Sequence, residues 1–204
     1  MRAVLAAILL LHQGVPQHKA KTYAAIIVQE SKRYSFDPLL VVSVVYHESR
    51  FNETACTTGS HGLMQLQLRP RSCEKTRAMA RAQGLYQPEI NIRKGLKLMW
   101  WWRRWCNLHH AGHDHHWLLH YNQGFGRCPD NKKRCKYAER IPRTTGRAGG
   151  YAQRVLTLYE RIKGKVRGTG TDGRPISLEN ASLRGLLAAM PISRLQGLRQ
   201  ERVR

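Results

Sequence analysis

A chain of 204 residues that is 42% apolar and carries five Trp and eight Tyr can fill one compact core, which excludes a disordered polyelectrolyte. Thirty-five Lys and Arg against thirteen Asp and Glu leave a formal charge of +22. That excess draws the chain toward anionic partners (nucleic acid, acidic lipid or cell wall) without choosing among them.

At the amino terminus, Met1 and Arg2 precede an apolar run from Ala3 to Leu11, the charged start and short apolar core of a secretory signal. The run is too short to span a bilayer. Residues 1–20 therefore read as a signal peptide or N-terminal apolar segment, the alternative being the first turns of a core helix. Residues 21–163 show no internal repeat and read as one domain. From Gly164 the text turns rich in Gly, Thr and Arg, so 164–204 reads as a flexible basic tail. Within it Leu183, Leu186, Leu187 and Met190 recur at helical spacing, a pattern open to docking on the domain, on a membrane surface or on nothing.

Inside the domain the spacing predicts a helix over 22–34, with Tyr23, Ile26, Ile27 and Glu30 in register, and a turn at Ser35-Phe36. Asp37-Pro38 is a strong helix start, with an Asp cap and Pro at the first position. It argues for a helix over 39–50 despite the valines that would suit a buried strand. Further helices are expected around 91–105, 115–122 and 151–162. In the last, Tyr151, Val155, Leu158, Tyr159 and Ile162 form one stripe. The fold class is thus mainly α, with at most a small sheet in 52–62.

In the second helix Val41, Val44, Val45 and Glu48 stand at i, i+3, i+4 and i+7, which puts a carboxyl on the apolar stripe. Desolvation disfavours its charged form, and the negative end of the helix dipole acts the same way, so its pKa should rise. A carboxyl still protonated near neutral pH is what a general acid for glycosidic cleavage requires. The competing reading pairs Glu48 with Arg50 or another base at the surface.

Glu48 lies in His47-Glu48-Ser49-Arg50-Phe51-Asn52, which is followed by Gly59-Ser60-His61-Gly62-Leu63-Met64-Gln65. Further along come Asn91-Ile92 with Gly95, Tyr121-Asn122-Gln123-Gly124 with Gly126, and Tyr151 with Val155 and Tyr159. In these ordered blocks, over roughly 21–162, the sequence resembles the soluble lytic transglycosylase (SLT) family, relatives of goose-type lysozyme. The resemblance implies a lysozyme-like helical domain in which Glu48 is the sole acid and base and no cofactor is needed. It also implies that Met64 and Gln65 line the sugar cleft, that Tyr121 holds the carboxyl by a hydrogen bond, and that Asn122 helps shape the cleft. Tyr151, at the head of the closing block, joins the substrate-binding set. Gly59 and Gly62 would let the backbone approach a sugar. The sequence departs from the family at Cys56, where Ser is usual, and at Ser60 and Gln123, where Ala is usual. A hydroxyl that would support the glutamate is thereby lost.

The implied reaction cleaves the β-1,4 bond between N-acetylmuramic acid and N-acetylglucosamine with one carboxyl, and the substrate's own C6 hydroxyl closes a 1,6-anhydro ring. Two-carboxylate hydrolysis is the alternative; Glu53 lies in a loop, Asp37 is a cap, and Glu74 and Glu89 fall outside the blocks. The expected partner is peptidoglycan, met by a monomer in the periplasm or outside the cell, with peripheral contact to cell wall or membrane surface. Nucleic-acid binding is the rival class suggested by +22 and by Arg among the tryptophans, yet no nucleic-acid-binding signature accompanies it, and none is expected. The cluster His109, His110, His113, His115, His116 and His120 is dense enough to hold a metal. A zincin helix is excluded because Phe51 stands where His47-Glu48 would need a second His, and no metal site is expected. Trp100, Trp101, Trp102 and Trp105 point different ways on a helix, so they divide between core and surface. The five cysteines form no C-x-x-C pair and read as disulfides. The expected pairs are Cys56 with Cys73 and Cys128 with Cys135, each bracketing a loop, with Cys106 free.

Overall fold

A computed structural model describes residues 1–109, 116–123 and 147–166. The described chain is mainly helical, with α1 (Arg2–Leu11), α2 (Gln17–Tyr34), α3 (Pro38–Ser49), α4 (Cys73–Ala82), α5 (Pro88–His109), α6 (His116–Gln123) and α7 (Arg147–Val166). Between α3 and α4 lie three two-residue strands, β1 (Cys56–Thr57), β2 (Ser60–His61) and β3 (Leu66–Gln67). They pair antiparallel in the order β1-β2-β3, with Cys56 opposite His61 and His61 opposite Leu66. The small sheet runs five residues further along the chain than the 52–62 segment expected to hold it.

The organising element is α3. Asp37 caps it as expected, its carboxylate accepting from Leu39 N at 2.8 Å with Pro38 at the first position. Its other oxygen accepts from Tyr159 of α7 at 2.8 Å, which ties the start of α3 to that helix. Leu39 to Val45 are all buried, so α3 is apolar on every side and not only along the Val41-Val44-Val45 stripe. Such a helix belongs at the centre of a domain, and α1, α2 and α7 pack around it.

The N-terminal apolar run is part of this packing: α1 buries Val4, Leu5, Ala7 and Ile8 and contacts α2, α3 and α7. At the other end, α7 continues through Gly164 to Val166, beyond the point where the composition changes. The helix α4 has no counterpart among the predicted elements. It buries only Thr76 and Ala80, so its apolar period is too sparse to read, although Ser72 caps it. Of the cysteines, Cys56 and Cys73 form the expected disulfide, and Cys106 is free and buried. Burial pushes the Cys106 thiol up to about 11. Cys128, Cys135 and the tail from 167 lie outside the described residues. So do the side chains of the histidine cluster except His120, which is buried and stacked on Trp102. Among the four tryptophans of α5, Trp102 is buried, Trp101 is exposed, and Trp100 and Trp105 lie between.

Candidate active site

Glu48 stands one residue before the end of α3, half-buried. The chain turns sharply after it: Arg50 (φ 53°) and Phe51 (φ 60°) both adopt the left-handed conformation, costly for residues with side chains. Phe51 is held there by burial against the rings of Tyr23 and Tyr46. The strained turn ends α3 at the point where its carboxyl leaves the core.

The hydroxyl of Tyr151, on α7, donates to Glu48 Oε1 at 2.5 Å. Burial raises the Glu48 carboxyl from 4.5 to about 7, against the opposing pull of the Tyr151 hydrogen bond. Tyr151 is itself buried, and burial together with the nearby carboxylate pushes its phenol well above the usual range, so it remains a donor. The edge of the His47 ring packs against Tyr151. Burial lowers the His47 imidazole, which keeps the ring neutral beside the acid.

Tyr121 does not hold the carboxyl, contrary to expectation. Its hydroxyl donates to Met64 O at 2.7 Å, and a phenol has one hydrogen to give. Burial, helped by the nearby charge of Glu48, raises the Tyr121 phenol well above the usual range. Its neighbour Asn122 is exposed on α6.

The Met64 side chain is fully buried, and a Cβ on Gly95 would come within 2.4 Å of its sulfur, so it fills a notch in α5. Gln65 is half-buried with φ 47°, and its side-chain amide donates to Ala55 O at 3.2 Å and Gly62 O at 2.9 Å. These bonds spend its donors on the loop; Oε1 accepts from no described residue. Nor does Gly62 make room for a sugar: a Cβ there would lie 2.2 Å from Asn91 Nδ2 and from Leu85 O. Gly59 is likewise closed off, by the backbone of Arg71 and Ser72 at 3.0 Å.

Asn91 accounts for this crowding, and its importance was missed. Buried on α5, it accepts from Met64 N at 2.7 Å and donates to His61 O at 3.0 Å and Leu85 O at 2.8 Å. One amide thus fastens the strand region to the helical body. The sequence carries the signal as Asn91-Ile92 with Gly95: the amide staples, Ile92 fills the core, and the glycine receives Met64. Also unforeseen is His61, fully buried, with Nε2 and Nδ1 each 2.7 Å from Thr76 Oγ1 and Tyr86 OH. Thr76 gives its hydrogen to Ser72 O, so Nε2 of His61 carries the ring proton and Nδ1 accepts from Tyr86. Cys56, which replaces the expected serine, is bonded to Cys73 and supports the strand region instead of the glutamate.

The sequence pattern of the transglycosylase SLT domain family matches residues 24–142. The chain belongs to the SLT family. No curated protein gives a significant match to the chain. Membership makes it a peptidoglycan-acting, transglycosylase-type protein of lysozyme-like fold, and Glu48, Met64, Gln65 and Asn91 all lie inside the matched span. Tyr151 lies beyond it, although it is the residue that bonds Glu48. Glu53, the other carboxylate near this helix end, is committed elsewhere: it pairs with Lys19 at 2.6 Å and accepts from Tyr23 at 2.8 Å. It lines a cavity of about 280 Å³ with His12, Lys19, Tyr23 and Arg50.

Proposed function

We propose that the protein is a lytic transglycosylase that cleaves the N-acetylmuramic acid to N-acetylglucosamine β-1,4 bond and leaves a 1,6-anhydro end. The observation that carries this reading is Glu48, a carboxyl raised to about 7, fixed by Tyr151 and with no second carboxylate bonded to it among the described residues. Because Tyr151 donates to Oε1, the proton of the neutral acid sits on Oε2. That proton passes to the bridging oxygen as the C1–O bond breaks, and the acetamido oxygen of the muramyl residue assists at C1. Glu48, now a carboxylate stabilised by Tyr151, takes the proton of the C6 hydroxyl as the C6 oxygen bonds to C1 and displaces the acetamido oxygen, which regains its amide form. Proton and charge return to the starting state without a cofactor.

In this reading the oxygen of Gln65 and the amide of Asn122 serve sugar hydroxyls. Met64 acts through its backbone, placing Gln65 and Tyr121. The Cys56–Cys73 bond suits an oxidising compartment, which agrees with action on peptidoglycan in the periplasm or outside the cell. Digestion of purified sacculi followed by mass spectrometry tests the reading. The expected muropeptides are lighter by one water than those released by a lysozyme. Hydrated reducing ends as the main product would assign hydrolysis instead.

A further inference from the structure

Helix α5 has two faces. One is the core face, with Ile92, Leu96, Met99 and Trp102 buried. The other carries Lys94, Lys97, Leu98, Trp101 and Arg104, all exposed. At 3.6 residues per turn these five fall in one arc of about 120°, with Trp101 at its middle. Leu98 and Trp101 each leave 39% of their surface in solvent, while the edge of the Trp101 ring packs on Trp102. The arc contains no acid: Glu89, the one acidic residue of α5, is in the first turn and pairs with Arg93 at 2.6 Å.

We infer that this face of α5 docks the protein on an anionic phospholipid surface, with Trp101 and Leu98 entering the headgroup region and Lys97 and Arg104 meeting the lipid charges. The pairing of residue types argues for lipid over a soluble polyanion. Cations alone would serve nucleic acid or a wall polymer, but an exposed Trp at the middle of the arc and an exposed Leu at its edge gain free energy where an apolar phase covers the surface they leave in solvent. The shape argues the same way, since the outer face of a helix is convex and presents its apolar pair to a plane, whereas sugars are gripped in grooves. The aliphatic stems of Lys97 and Arg104 extend the apolar patch while their charged ends reach the headgroups. Trp favours this interfacial depth. The formal charge of +22 adds long-range attraction that salt weakens.

Flotation of the full chain with unilamellar vesicles tests the inference. The wild type should float with phosphatidylglycerol mixed into phosphatidylethanolamine and not with phosphatidylcholine alone. Replacing Leu98 and Trp101 together by Ser should weaken binding about tenfold or more, as should Lys97→Glu with Arg104→Glu. Lys75→Glu with Arg77→Glu on α4 makes the same change of charge elsewhere and should cost no more than about threefold. Thermal melts confirm that each variant folds, and Glu48→Gln should float like the wild type, which separates docking from catalysis. Absence of flotation at low salt, an unaffected Leu98/Trp101 variant, or equal losses from the two charge swaps would each overturn the inference. Loss of binding to purified sacculi with lipid binding intact would reassign the face to the cell wall.

Discussion

Helix α3 and the three-stranded region that precedes α4 differ in what holds them. Seven consecutive buried residues, Leu39 to Val45, seat α3 by contacts spread over three neighbouring helices. The region from Cys56 to Gln67 buries little apolar surface beyond Leu63 and Met64, and is tied instead by Asn91, His61 and one disulfide. Distributed apolar packing tolerates the loss of a methyl group; a segment hung on a few polar ties does not, because each broken tie leaves a buried group unpaired. The acid therefore sits on the robust side of the site, and Gln65 on the fragile one.

Removing the acid should have the largest effect. Glu48→Gln is expected to cut turnover of peptidoglycan about 10³-fold or more while leaving the fold intact, as read by release of soluble muropeptides. The same variant should gain stability, with a definite pH dependence. The folded carboxyl titrates near 7 and the unfolded one near 4.5, so the wild type loses stability as pH rises through that window. Gln bears no such charge, and its oxygen can still accept from Tyr151. It should therefore exceed the wild type by on the order of 2 kcal/mol at pH 8, with the gain gone at pH 4. Equal urea midpoints at pH 8 would show that Glu48 is not desolvated.

The fragile side is tested next. Asn91→Ala leaves Met64 N, His61 O and Leu85 O without their partner and should cost about 3 to 4 kcal/mol. Val42→Ala on α3, a deletion in apolar packing, should cost about 2 kcal/mol. Compared at a temperature where both variants are folded, Asn91→Ala should lose more activity, because only it releases the Gln65 loop. Opening the Cys56–Cys73 link by Ser at both positions frees a loop spanning 17 positions, worth about 3 kcal/mol. Its activity loss should be smaller than that of Asn91→Ala, since the His61 bonds to Thr76 and Tyr86 remain. A reversal of that order would place the weight of this region on the disulfide.

The same difference explains what could be read in advance. The helices α2, α5, α6 and α7 were legible because burial of one side writes a 3.6-residue period, and α3, buried on every side, because Asp37-Pro38 is local chemistry that starts a helix. Glu48 stood out as a charge on an apolar stripe. The contacts of Met64, Gly62 and Tyr121 were not legible because their partners lie far away in sequence: Gly95, Asn91 and Met64 O. No period marks such ties. Helix α4 escaped notice for the converse reason, since two buried residues write no period at all.

The smallest expected effect separates the two tyrosines. In the neutral acid the Tyr151 hydroxyl is a modest aid, but in the carboxylate it is a stronger, charge-assisted bond. Tyr151→Phe should therefore raise the Glu48 pKa further and move the alkaline limb of the rate upward by about one pH unit, equivalent to about 1.4 kcal/mol. The maximum rate should fall at the same time, because the carboxylate formed after proton transfer loses its donor. Tyr121→Phe removes a hydroxyl that serves Met64 O and not the carboxyl, so it should leave the limb in place and act through the loop, raising KM more than it lowers kcat. Rate profiles between pH 5 and pH 9 for the two variants decide the matter. A shifted limb in Tyr121→Phe, with none in Tyr151→Phe, would return the carboxyl to Tyr121 and leave Tyr151 as packing between α7 and α3.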